Sequence, residues 1–311
     1  MIGTVAVTDT GWYEYLRSRP DLLEVNFWRP SSRRSFVAPE FSPFLFKLRS
    51  PHNAICGFAY FARWSPLPIW LAWETFGQAN GTATRAEMED RLTRIRERIR
   101  FEGGDVADYI GCTLLLDPVF FPREAWIRQP EDWRVRTQTD KKYDLASGEG
   151  RRVWEECQLV AMDLGSHRPV PSVVAESAPR YGEPVLIPPR LGQRTFRIAV
   201  TDAYGRACAA TGEHSLPALE AGHIRPYADG GQHLVSNGLL LRADLHRLFD
   251  TGYVTIDPEL RLVVSARLRN EFKNGKTYYP LHGKRLAVPR SQRDRPDLDA
   301  LRWHNEAVFA A

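Results

Sequence analysis

Over the first half of the chain, apolar residues gather in short runs: EVNFWRP at 24–30, PFLFKLRS at 43–50, AICGFAYFARW at 54–64 and CTLLLDPVFF at 112–121. Each run is rich in aromatic and aliphatic side chains and bounded by Pro, Gly or Asn, which predicts strands. One stretch changes period. Thr84-Arg85-Ala86-Glu87 has the order of a capping box, and Met88, Leu92, Ile95 and Ile99 follow at helical spacing, predicting a helix. Its other face carries Arg91, Arg94, Arg96, Arg98 and Arg100, a run that is more often a solvated face than a nucleic-acid groove.

Pro169, Pro171, Pro179, Pro184, Pro188 and Pro189 then crowd a segment from which helix and sheet interiors are kept out. The chain of 311 residues is also longer than one core ordinarily supports. Together these divide it into a domain over 1–165, a Pro-rich linker over 166–192 and a second domain over 193–311. In the second domain TFRIAVTDAYGRACAATGE predicts a helix and turn, LEAGHIRPY a strand ending at Pro226, DGGQHLVSN a loop, GLLLR a second short strand, and ADLHRLFDTG a helix that stops at Gly252. GYVTIDPELRLVVS reads as a hairpin turning at Asp257-Pro258-Glu259, and LRWHNEAVFAA as a closing helix.

Composition adds bounds to this picture. A hydrophobic share of 43% with 26% charged residues fits a folded chain rather than a disordered one. The net charge is only +4, but among the basic residues the lysines are confined to Lys47, Lys141, Lys142, Lys273, Lys276 and Lys284. The arginine bias suits phosphate recognition, and a GC-rich genome would produce the same bias. Cys56, Cys112, Cys157 and Cys208 form no C-x-x-C pair, which predicts buried thiols in a reducing cytoplasm rather than a zinc knuckle or disulfide framework. The first residues lack a basic start followed by a long apolar run, and no stretch of about eighteen apolar residues follows, so a cytoplasmic protein that is neither exported nor membrane-spanning is expected.

The chemistry concentrates between Glu220 and Asp250. On the predicted helix His246 and Asp250 are four residues apart and share a face, beside the apolar stripe of Leu245 and Phe249. An imidazole and a carboxylate so placed are ligand types that a divalent cation accepts. His223 on the facing strand is then free to act as a base, because an imidazole can take a proton from water near neutral pH. Phosphodiester hydrolysis needs both a base and a cation that stabilises charge on the phosphate and the leaving oxygen.

Glu220-Ala221-Gly222-His223-Ile224, Asn237-Gly238-Leu239-Leu240-Leu241 and His246-Arg247-Leu248-Phe249-Asp250 resemble the three motif blocks of the HNH endonuclease family, whose core is the ββα-metal fold. The resemblance runs over roughly residues 195 to 309. It implies that His223 is the general base, that Asn237 pins the intervening loop, that His246 is a metal ligand with Asp250 a further ligand one turn on, and that the cofactor is Mg2+ or Mn2+. Many members carry a ligand immediately before the base, and here that position is Gly222. Glu220, of the same strand parity, could substitute, or His246 and Asp250 could hold the ion with water and substrate phosphate. Arg225 is expected to contact the DNA backbone. His214, His233, His282 and His304 lack a motif partner and read as surface or packing histidines.

In the front half, FWRPS leading into FSPFLFKLRSPHNAICGFAYFARW, and later IGCTLLLDPVFFP, resemble the PUA superfamily, especially its EVE and ASCH-like branches. The resemblance implies an α+β protein whose N-terminal part is a β-barrel with flanking helices. It also implies an aromatic-lined pocket for a flipped, modified base, for which stacking must offset the cost of unstacking. Trp28, Ser31 and Ser32 are the first candidates to line it, with Trp73 and Asn80 beside them. Arg33, Arg34 and Lys47 are the candidate phosphate contacts. The expected protein is a modification-dependent endonuclease of double-stranded DNA, reading a modified cytosine and working as a homodimer, since one metal site cuts one strand at a time. A modification-independent HNH nuclease of a phage or mobile element, and a non-cleaving reader of modified nucleic acid, are the alternatives.

Overall fold

A computed structural model describes residues 1–98, 108–134, 139–165, 191–273 and 275–309. Two compact units divide the chain, Met1–Pro189 and Arg190–Ala311. Residues 166–190 of the predicted linker, and Ile99 and Arg100 of the predicted arginine-rich helix, lie outside the described residues.

The first unit is built on one mixed sheet. Its strands are β1 (Ile2–Thr8), β2 (Glu24–Arg29), β3 (Pro43–Leu48), β4 (Ala54–Pro68), β5 (Tyr109–Phe120), β6 (Ile127–Arg128) and β7 (Asp140–Asp144). Its helices are α1 (Thr10–Arg17), α2 (Ile69–Phe76), α3 (Arg85–Arg98) and α4 (Gly148–Asp163). The order across the sheet is β2-β5-β4-β3-β1-β7, with β6 added to β4. All pairs are antiparallel except β1 with β3. The hydrophobic pattern does not predict β1, α1, α2, β6, β7 or α4. α1 covers one face through Trp12, Tyr13 and Leu16, which meet Phe27, Phe44 and Phe46. α4 covers the other through Val153, Trp154 and Cys157, which meet Ile55, Phe58 and Tyr143. Burial on both faces explains why β3 is a continuous apolar run rather than an alternating one.

The expected β-barrel is not formed: among the described residues no sheet closes on itself. β2 and β7 are the two ends of the strand order, and what joins them is a side-chain ion pair, Arg29 Nη2 to Asp140 Oδ1 at 2.7 Å, not a backbone ladder. β2 is instead flanked by the 3-10 turn Gly77–Asn80, whose Asn80 accepts from Asn26 and Trp28. The long β4 absorbs its curvature at irregularities between Phe58 and Tyr60 and between Phe61 and Arg63. At Gly57 the backbone has φ 151° and an added Cβ would lie 2.2 Å from the Val119 carbonyl oxygen, so only glycine allows β5 to approach.

The second unit contains α5 (Gln193–Ala203), β8 (Leu219–His223), β9 (Gly238–Arg242), α6 (Ala243–Asp250), β10 (Val254–Ile256), β11 (Leu262–Val264), α7 (Arg267–Phe272) and α8 (Leu298–Ala307). β8 and β9 pair antiparallel with His223 opposite Gly238, and β10 and β11 form the predicted hairpin. Phe196 and Val200 of α5, Leu239 and Leu241 of β9, and Leu245 and Phe249 of α6 share one core. Burying Leu239, Leu241, Leu245 and Phe249 is worth roughly 6–12 kcal/mol before entropy is counted, which is what fixes α6 against the β8/β9 pair. All four cysteines are buried free thiols. No described helix is long and apolar enough to cross a membrane.

Candidate active site

α6 follows β9 without a loop, because Arg242 takes extended backbone at ψ 146° and the chain turns helical at Ala243. Leu245 and Phe249 bury one stripe, and the adjoining stripe brings His246 and Asp250 over β8. The helix stops where Gly252 adopts φ 74°, and a Cβ there would lie 2.1 Å from the Val308 carbonyl oxygen. α8 locks the other side: His304 stacks on Phe249 with ring centroids 3.6 Å apart, and bonds the Thr255 hydroxyl (2.8 Å) and the Phe249 carbonyl (3.0 Å). His304 is thus the packing histidine that the sequence suggested. Burial pushes its pKa down to about 4.

His246 has a carboxylate on each ring nitrogen. Nδ1 stands 2.7 Å from Glu220 Oε2, and Nε2 stands 3.5 Å from Asp250 Oδ2. The nitrogens of an imidazole point apart, so Glu220 and Asp250 do not converge on one point. Among the described residues no group of three or more His, Cys, Asp or Glu side chains is arranged to hold a metal ion. Nε2 of His246 and the Asp250 carboxylate face each other on one side of the ring, and Glu220 holds the far nitrogen. Partial burial and Glu220 raise the Asp250 carboxyl above the usual carboxylate range, while His246 opposes them.

Gly222 acquires a physical reason. A Cβ at this position would lie 2.1 Å from His246 Nε2 and 2.3 Å from Cδ2. The imidazole therefore fills the space that a side chain at position 222 would need, and only glycine lets the ring pack this closely on β8.

His223, at the end of β8, is half-buried, with Phe196 of α5 stacked on it at 4.0 Å and 5°. Burial above all, then His233 and His246, pushes its pKa down to about 4, so the ring is uncharged at neutral pH. Its Nε2 lies 2.9 Å from His233 Nδ1. The sequence marks His233 only as a surface or packing residue, and no motif spacing points to it. The signal that could have found it is the turn-rich loop on which it lies, which must fold back over the strand carrying His223.

That loop is held by Asn237. Its Oδ1 accepts from the Arg225 amide (3.0 Å), and its Nδ2 donates to the carbonyls of Arg225 and Gln232 (both 2.9 Å). Arg225, half-buried, donates from Nε to the Asp229 carbonyl at 2.6 Å, and its guanidinium lies 5.3 Å from the Trp303 ring centre.

In the first unit Trp28, Ser31 and Ser32 run in succession from the end of β2, all half-buried. Trp28 Nε1 donates to the Asn80 carbonyl at 2.9 Å, and Ser31 Oγ accepts from the Arg33 amide at 3.2 Å. The Asn80 side chain is fully buried, accepting from Asn26 Nδ2 (2.8 Å) and donating to the carbonyls of Ala72 (3.0 Å) and Gly77 (2.9 Å). It therefore braces Trp28 rather than offering a free amide. Trp73 lies half-buried on α2, next to Ala72. No sequence motif marks Asn26, although it shares the β2 face with Trp28; its Oδ1 and the Thr75 hydroxyl are buried without a hydrogen-bond partner among the described residues.

Arg33 and Arg34 are exposed, as phosphate contacts must be. Lys47 is not: it is 3% exposed, donates to the Leu48 carbonyl at 3.0 Å and stands 5.1 Å from the Trp133 ring centre. Burial, with Arg49 nearby, lowers its pKa. A strand covered on both faces has no solvent side on which to present that cation.

Residues 208–257 match the family model described as HNH endonuclease, a span that holds Glu220, His223, Asn237, His246 and Asp250. The protein carries an HNH endonuclease domain and is by that domain a nuclease. No curated protein matches the chain. Among solved structures it is similar to the ASCH protein of Zymomonas mobilis, at 17% identity and a TM-score of 0.34, over 49% of this chain and 94% of that one. It is also similar to the modification-dependent restriction endonuclease TagI, at 13% identity and a TM-score of 0.30, over 98% of this chain and 81% of that one.

Proposed function

We propose that the protein is a modification-dependent DNA endonuclease, in which the second unit hydrolyses the phosphodiester bond with His223 as general base. The observation that carries the nuclease chemistry is the placement, inside the segment matching the endonuclease family, of an uncharged His223 close to a His246 that carries Glu220 on one nitrogen and Asp250 on the other. His223 takes a proton from water as the water oxygen bonds to phosphorus. The bond from phosphorus to the leaving sugar oxygen breaks, and its electron pair stays on that oxygen.

The donor set fits a hard divalent cation such as Mg2+ or Mn2+. Cis ligands about 2.1 Å from one ion lie roughly 3 Å apart, close to the 3.5 Å between His246 Nε2 and Asp250 Oδ2. His246 and Asp250 would hold the ion, with Glu220 orienting the ring. When bound, the cation supplies charge stabilisation for the phosphate and the departing oxygen. The non-cleaving alternative had its motive in Gly222, and the packing of His246 against that glycine supports an intact site instead.

For the first unit the reading is a pocket for an extruded modified base, a modified cytosine, bounded by Trp28, Ser31, Ser32 and Trp73, with Asn80 bracing Trp28 and Arg33 and Arg34 on the backbone. Double-strand cutting would engage two copies of the chain.

The test is to incubate the protein and a His223→Ala variant with plasmids carrying modified or ordinary cytosine, in Mg2+ or Mn2+. Cutting of the modified plasmid alone, lost in the variant, is expected. Equal cutting of both plasmids removes the targeting, and an equally active variant removes the assigned base.

A further inference from the structure

A neutral imidazole has one N–H and one lone pair, so the 2.9 Å contact between His223 Nε2 and His233 Nδ1 allows two arrangements. In one, His223 carries its proton on Nε2, donates it to His233, and keeps a lone pair on Nδ1. In the other, His233 donates, the His223 lone pair on Nε2 is occupied, and Nδ1 carries the proton. Only the first leaves His223 able to take a proton from water. Among the described residues no group is hydrogen-bonded to His223 Nδ1. Each ring is held by a stacked neighbour, Phe196 on His223 and Tyr227 on His233 at 5.2 Å and 5°, with the two imidazoles tilted 57° to one another.

We propose that His233 is the positioning residue of this nuclease: it accepts the hydrogen bond from His223 Nε2–H and thereby fixes the tautomer that leaves Nδ1 bare toward water. When water gives its proton to Nδ1, the Nε2 proton stays in place, and the bond to His233 becomes charge-assisted without any side chain moving. Asn237 belongs to the same device, because its Nδ2 holds the carbonyl of Gln232, the residue before His233. The proposal rests on His223 being the base.

Two measurements test it. In the full-length protein with 15N-labelled histidine, free of metal and DNA, NMR is expected to show His223 with a protonated Nε2 and a bare Nδ1, its signals assigned by their loss in His223→Ala. A His223 protonated on Nδ1 overturns the proposal. In cleavage assays His233→Phe keeps the aromatic ring but loses the acceptor, and kcat should fall by about 10²- to 10⁴-fold with little change in KM. His233→Asn places an oxygen near the Nδ1 position and should recover most of that loss. Equal loss in both variants, or unchanged kcat in His233→Phe, overturns the proposal. The nuclease reading fails separately: a His223→Ala variant that cuts like the parent removes the base, whatever the tautomer in the spectrum.

Discussion

The two units place their functional candidates by opposite means. In the second, Glu220, His223, Asn237, His246 and Asp250 come from one strand, one loop and one helix adjacent in sequence, and the β8/β9 register with the burial of Leu245 and Phe249 suffices to bring them together. In the first, Trp28 is braced by Asn80, contributed by a turn more than fifty residues further on, and the sheet has β1 parallel to β3 and β7 antiparallel to β1 at its far end. A locally encoded site tolerates divergence of its surroundings. A site assembled from distant elements depends on the whole sheet.

The largest effect should separate the units. His223→Ala should lower the cleavage rate by about 10²- to 10⁴-fold, the contribution of a positioned general base, while binding of modified DNA stays near that of the parent. Loss of binding in a gel-shift assay with this variant would show that recognition is not confined to the first unit.

Gly222→Ala should cost about 10²-fold in rate, since displacing His246 by an ångström or so is enough for that. Its measurement is single-turnover cleavage. A rate equal to that of the parent would mean that His246 does not need its place over Gly222.

Acid should weaken the second unit through His304. Its folded pKa of about 4 lies below the ordinary 6.5, so its contribution is fully present above about pH 6.5 and is lost as pH falls toward 4. The loss amounts to roughly 3 kcal/mol at most. Hydrogen exchange resolved by segment should show β10 and α8 opening more readily over that interval, and His304→Gln should flatten the dependence.

Trp28→Ala should reduce the preference for modified over ordinary DNA by about tenfold, in line with ~1–3 kcal/mol for stacking one base, and leave cutting of ordinary DNA unchanged. Lys47→Met should change DNA affinity by less than about twofold and leave its salt dependence intact, because a phosphate contact is what would alter that slope. A weaker salt dependence in this variant would place Lys47 at the DNA after all.

The same contrast governs what the sequence made legible. The strand, loop, strand and helix around the histidines follow from period and stop signals, and the motif blocks name the chemistry. The sequence did not reveal His233, whose partner depends on how a loop folds back, or that Glu220 and Asp250 would take opposite nitrogens of His246. In the first unit β2, β3, β4, β5 and the capping-box helix were legible. The covering helices α1 and α4 were missed, and so was the burial of Lys47 that two-sided covering of β3 entails. Closure of a sheet is set by whether its end strands pair. Nothing in the alternation of β2 or β7 signals that an Arg29–Asp140 side-chain bridge would stand where a ladder was expected.

Isothermal titration of Mn2+ into the parent protein, His246→Ala and His223→Ala tests the division of labour between ligand and base most directly. One ion per chain should bind to the parent and to His223→Ala, and binding should be lost in His246→Ala. Binding that survives in His246→Ala, or that disappears equally in His223→Ala, would contradict the assignment.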